Sequence, residues 1–77
     1  MTTQKRQQLE KFQNRIEQLK EELQAEIDNE QEKFENLPES FQDGERGQKM
    51  QTAIDAMESA IGDLDNVVSS LQEAIDA

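Results

Sequence analysis

Carboxylates are the only reactive side chains abundant enough here to define a chemistry. The 77 residues include 18 Asp or Glu against 8 Lys or Arg, a net charge of −10. There is no His, Cys, Tyr or Trp. That removes the commonest general base, the strongest nucleophile and the usual zinc ligands together. Ser40, Ser59, Ser69 and Ser70 have only carboxylates and lysines to activate them. Gly44 and Gly47 lack the spacing and the preceding strand of a phosphate-binding loop. The inventory therefore points away from an enzyme, with no catalytic residue and no cofactor.

Metal binding is the other use of clustered carboxylates. Asp63-Leu64-Asp65-Asn66 and Asp28-Asn29-Glu30-Gln31-Glu32 resemble fragments of calcium loops. Both lie in helix-forming sequence, where residues two apart point in different directions, and neither carries the loop glycine. They read as solvated helix faces, and no metal is expected. What remains is charge itself. From Met1 to Lys20 five basic residues outnumber two acidic ones, a balance of +3; from Glu21 to Ala77 three basic residues face sixteen acidic ones, a balance of −13. Such a surface repels nucleic acid and anionic membrane and attracts basic proteins.

The elements that position these charges are two helices. Met50, Ile54, Met57, Ile61, Leu64, Val68, Leu71 and Ile75 alternate steps of four and three, an unbroken heptad seam. Ala53, Ala60, Val67 and Ala74 run beside it at spacing seven, so the stripe is wider than one partner helix needs. The first half carries a thinner stripe, Leu9, Phe12, Ile16, Leu19, Leu23, Ile27 and Phe34. Between them Pro38 disfavours helix at Leu37. Asn36 with Glu39 reads as a capping box for one short turn, and Asp43-Gly44 reads as a second turn with Asp43 as a cap. Phe34, Leu37 and Phe41 would plug that end.

The expected fold is all-α: a single helical-hairpin domain over residues 1–77, with helix about 3–35, connector 36–43 and helix about 44–76. The arms are antiparallel and coiled-coil-like. Leu9 should lie opposite Leu71, Phe12 opposite Val68, Ile16 opposite Leu64, Leu19 opposite Ile61 and Leu23 opposite Met57, with Arg15 level with Asp65. Glu30 to Glu35 would approach Arg46 and Lys49. The Gln-rich opening reads as a frayed start. The wider second stripe suggests a homodimeric four-helix bundle associating through Ala53, Ala60, Val67 and Ala74. Gly62, just off the seam, marks either close approach of a partner backbone or a tolerated surface glycine.

In this register Glu21, Glu22, Glu26, Asp28 and Glu30 fall level with Asp55 and Glu58, a carboxylate belt about the middle of the rod. Carboxylates spaced along a helical rod can imitate phosphates along a duplex and occupy a basic groove. The alternative use of the belt is solubility. Asn36-Leu-Pro-Glu-Ser40, Gly44-Glu-Arg-Gly47, Met50, Ala53-Ile54 and Ala60-Ile61 resemble small, acidic, helical accessory proteins of bacteriophages and prophages. The resemblance implies a phage or mobile-element protein acting in the host cytoplasm, often by blocking a nuclease or defence complex. It carries over no site residue. Two other families share part of this text. Secreted hairpins with Trp-x-Gly at the turn differ, because the turn here is Glu45-Arg46-Gly47. The small subunit of exonuclease VII spaces its Leu-Pro and Glu-Arg-Gly differently.

Two functions follow as expectations. One is an inhibitor or regulator presenting carboxylates to a basic, nucleic-acid-binding protein as a DNA mimic. The other is a structural or adaptor coiled-coil module. Neither requires direct contact with nucleic acid or membrane.

Overall fold

In a computed structural model covering Met1–Ala77, three helices follow in order: α1 Thr3–Glu35, α2 Glu39–Gln42 and α3 Glu45–Asp76. There is no strand. The chain forms a rod of 58 × 15 × 11 Å in which α1 and α3 pack along their lengths. They run antiparallel, because Gln13 meets Val68 while Lys20 meets Asp65 further back along α3.

The helix ends show where local sequence is satisfied. Thr2 caps α1: its Oγ1 accepts from the Lys5 amide at 3.2 Å, so the opening is held rather than frayed. Asn36 is the last residue of α1's C-terminal cap, not the start of the next turn. Pro38 takes that starting place, since its fixed φ suits a helix entry and its missing N–H costs nothing there. Asp43 closes α2, and Gly44 in extended backbone begins α3 without a side-chain cap. The capping box and the Asp43 cap expected from sequence are therefore both replaced.

Gln42 does the closing at this end. Its Nε2 donates to the carbonyls of Phe34, Glu35 and Leu37 at 3.3, 3.4 and 3.0 Å. Phe34 and Glu35 are the last residues of α1, whose carbonyls a helix C-terminus leaves without intrahelical partners, and Leu37 lies just beyond the cap. Phe34 and Leu37 are half-buried beside it. Phe41, expected as part of the plug, is 56% exposed. Gly47 is buried in the first turn of α3, where a Cβ would overlap the Gln42 carbonyl. Only glycine lets α3 start this close to α2.

The core is thin. Ile27 and Ile54, each 1% exposed, are the only buried large apolar residues, and the register set by Gln13 and Val68 places them level with one another. Elsewhere the seam is half-buried. In α3 it follows the expected column from Met50 to Ile75. In α1 it departs from expectation: the shielded positions are Leu9, Gln13, Ile16, Lys20, Leu23, Ile27, Glu30 and Phe34, a regular alternation of four and three. Gln13 and Lys20 share a spacing-seven column with Ile27 and Phe34, and that column faces α3. Phe12 and Leu19 are displaced outward, 36% and 50% exposed. The expected pairs Phe12–Val68 and Leu19–Ile61 are thus not made. The aliphatic stems of Gln13 and Lys20 line the seam while their polar heads reach its edge.

Candidate functional site

The phase of the two helices divides the rod into two unlike long sides. On one, Gln13 Nε2 donates to the Val68 carbonyl at 3.2 Å and to Gln72 Oε1 at 3.1 Å. One heptad along, Lys20 Nζ pairs with the Asp65 carboxylate and donates to Glu17 at 3.3 Å. The Asp65 hydrogen bond is the main reason that the Lys20 ammonium is held above the ordinary lysine value of 10.5; desolvation opposes it and Glu17 reinforces it. These links tie α1 to α3 with polar groups, so this side is closed.

Helical spacing places Glu10, Glu17, Glu21, Asp28 and Glu35 of α1, and Asp55, Glu58, Asp65 and Asp76 of α3, on or beside that closed side. The same columns hold no lysine or arginine. Side-chain amides steady part of the row: Gln24 donates to Asp28, and Gln51 to Asp55, each at 3.0 Å. Gly62 lies here too. Nothing stands within 4 Å of where its Cβ would be, so no close approach within the chain requires glycine.

The opposite side is open and largely apolar. Leu19, Leu23, Ala60 and Leu64 floor a shallow groove edged by Glu22, Glu26 and Asp63. Phe12 and Ile16 extend it along α1 past Arg15. Ala53, Ala60, Val67 and Ala74 share one column on this side; Ala53 and Val67 are exposed, Ala60 and Ala74 half-buried. Towards the turn, Lys33 and Arg46 join Glu30, Leu37 and Met50 around a smaller depression. Arg15 and Arg46 form no ion pair, and Lys49 pairs with Glu45 on its own helix at 3.2 Å. The expected approach of Arg15 to Asp65 is made by Lys20 instead.

The belt read from sequence is therefore not one surface. Glu21, Asp28, Asp55 and Glu58 belong to the acidic closed side. Glu22 and Glu26 rim the open groove. Glu30 is half-buried at a seam position. Sequence reasoning missed Glu10, Glu17 and Asp65 as companions of the first group. Their signal was spacing seven from Glu17 through Gln24 to Gln31, legible only once Gln13 and Lys20 are recognised as seam residues. The carboxylates nowhere gather in threes close enough to hold a metal ion, and no helix is long and apolar enough to cross a membrane. No family model, characterised protein or solved structure matches the chain.

Proposed function

We propose that this hairpin is a non-catalytic protein-binding module that presents its acidic side to the basic groove of a nucleic-acid-binding protein, as an inhibitor or regulator. The observation that carries the reading is segregation of charge. A coat that served only solubility would mix signs around the rod, whereas here the outward columns of one side carry carboxylates and no cation, and Lys20 at its seam is already paired with Asp65. Between the levels of Glu10 and Glu35 that side offers roughly one carboxylate per 5 Å of rod, against about one phosphate per 1.7 Å of duplex. The imitation of DNA is partial, which suits competition for a basic groove better than replacement of a whole duplex. The resemblance to phage accessory proteins suggests a host nuclease or defence complex as the target and the host cytoplasm as the place.

The open side serves a second role in the same reading. Two hairpins associating there, through Ala53, Ala60, Val67 and Ala74, would form a four-helix bundle with an acidic side facing outward on each flank. The observation favouring this is the exposed apolar area over so thin a core. An adaptor that worked only through this open side is the competing function. A competition assay separates the two. A sequence-nonspecific basic DNA-binding protein is loaded with a fluorescent duplex, and the hairpin is titrated in at low and high salt. The proposal expects displacement at low salt that fades steeply as salt rises. No displacement at low salt, or displacement indifferent to salt, would leave the adaptor reading in its place.

A further inference from the structure

Resting on the self-association reading, we infer that the open side docks on the same side of a second copy about a two-fold axis that crosses the rod at Leu19 and Ala60. In this arrangement α1 lies on α1 and α3 on α3, with the long axes reversed.

Three observations lead there. The first is exposure: of the five large apolar residues left exposed, Phe12, Leu19 and Val67 lie on the open side. The second is area. The rod's broad face has an outline of roughly 870 Å², of the same order as the roughly 800 Å² a side of a standard-size interface. A strip this narrow reaches that size only if most of its length is used, which centres the axis near the middle of the rod. The third is charge, which selects between the two ways of stacking the strips full length. A two-fold axis along the rod would lay each turn on the partner's turn. Lys33 would then fall on Arg46 of the second copy, and Arg46 on its Lys33, like charge on like at one end. An axis across the rod sends the two turns, and with them Lys33 and Arg46 of each copy, to opposite extremes of the bundle. It also brings Arg15, which has no ion partner within the chain, over Glu22 and Glu26 of the second copy. Val67 then falls on the small Ala53 of the second copy, so bulk meets space. Lys33 is then level only with Lys5 of the second copy, in the exposed first turns, and unlike charges joined across an interface set register more strongly than they set affinity.

Because the chain has no cysteine, disulfide trapping reads the geometry directly. A disulfide needs the two Cα atoms within about 7 Å. Leu19→Cys should link to itself under mild oxidation, because the axis passes beside it. Phe12→Cys should stay unlinked, since the two copies of that position lie roughly 20 Å apart. A mixture of Leu19→Cys and Ala60→Cys chains should give only Leu19–Leu19 and Ala60–Ala60 pairs. Preferential Leu19–Ala60 linkage would place the axis along the rod and overturn the inference. Sedimentation of the unmodified chain at high micromolar concentration runs beside this. A monomer there would overturn the self-association reading itself, whereas a dimer with the wrong linkage would overturn only the axis. In addition, Arg15→Glu should weaken the dimer at least tenfold, and adding Glu22→Arg and Glu26→Arg should recover most of the loss. No recovery would also count against the crossing axis.

Discussion

The two long sides of this rod are built from the same pair of helices and differ in nearly everything else. The closed side joins α1 to α3 with Gln13, Gln72, Lys20 and Asp65 and then faces outward as a row of carboxylates. The open side leaves Phe12, Leu19 and Val67 uncovered and keeps most of its charges near the ends and rim. The difference teaches what a two-helix hairpin must do with a narrow seam. Two helices bury one stripe between them, and here complete burial is reached only at Ile27 and Ile54. Any further apolar area must face out on one side or the other. Putting all of it on one side frees the second side to be wholly polar. Polar residues in the seam specify this orientation at some cost in burial, a role attested for buried polar groups in coiled coils.

The largest expected effect comes from erasing the difference altogether. Gly47→Ala drives a Cβ into the Gln42 carbonyl and so disturbs the turn that sets the phase of α3 against α1. Overpacking against backbone of this kind costs about 3 kcal/mol. A denaturant titration followed by circular dichroism should show a markedly lower midpoint, and an unchanged midpoint would mean the turn is not held closed by that contact.

Next in size is a polar substitution made once on each side. Val67→Asp places a charge on the open side and should cost about 1–3 kcal/mol in a concentration-dependent melt. Ser69→Asp lies toward the closed side and is exposed, so it should change stability by no more than about 0.5 kcal/mol. Equal effects would abolish the distinction between the sides. A smaller effect of opposite sign is expected at Gly62. Its Cβ position is empty, so Gly62→Ala should stabilise α3 by about 1 kcal/mol through helix propensity alone. If Gly62→Ala preserved the fold but prevented capture of a basic partner, that glycine would prove to be where the partner's backbone comes close.

The smallest effect concerns pH. The Lys20 ammonium is held above its ordinary value, chiefly by Asp65, so the folded chain keeps that proton longer than the unfolded one. The resulting stability is fully present below the ordinary lysine value of 10.5 and is lost as pH rises through the higher folded value. Thermal melts of the parent chain should lose stability over that alkaline interval slightly more than those of Lys20→Met. Identical alkaline profiles would show that the pair does not tie the helices.

Much of this architecture was legible in the residues. The alternation from Met50 to Ile75 and the Pro38 and Gly44 punctuation specify two long arms and a short connector. Two things were not legible. In α1 the apolar residues alone fit a phase through Phe12 and Leu19, because hydrophobicity cannot register that the stems of Gln13 and Lys20 line a seam. At the connector, several residues compete to cap the same ends. Which one wins depends on the α2–α3 approach through Gly47, a tertiary contact that local sequence does not display. The carboxylates suffered from the first of these. With α1 rotated to its observed phase, Glu22 and Glu26 leave the acidic group and Glu10, Glu17 and Asp65 join it.

That rotation also defines the sharpest test of function. Two charge-reversed chains are compared for displacement of a duplex from the same basic DNA-binding protein. One carries Glu21→Lys, Asp28→Lys, Asp55→Lys and Glu58→Lys on the acidic side; the other carries Glu22→Lys and Glu26→Lys at the rim of the open groove. Circular dichroism confirms that both remain helical. The expected result is that the first chain loses displacement entirely while the second retains most of it. If instead the first chain still displaces the duplex, or the two are equally impaired, the acidic side is not the working surface.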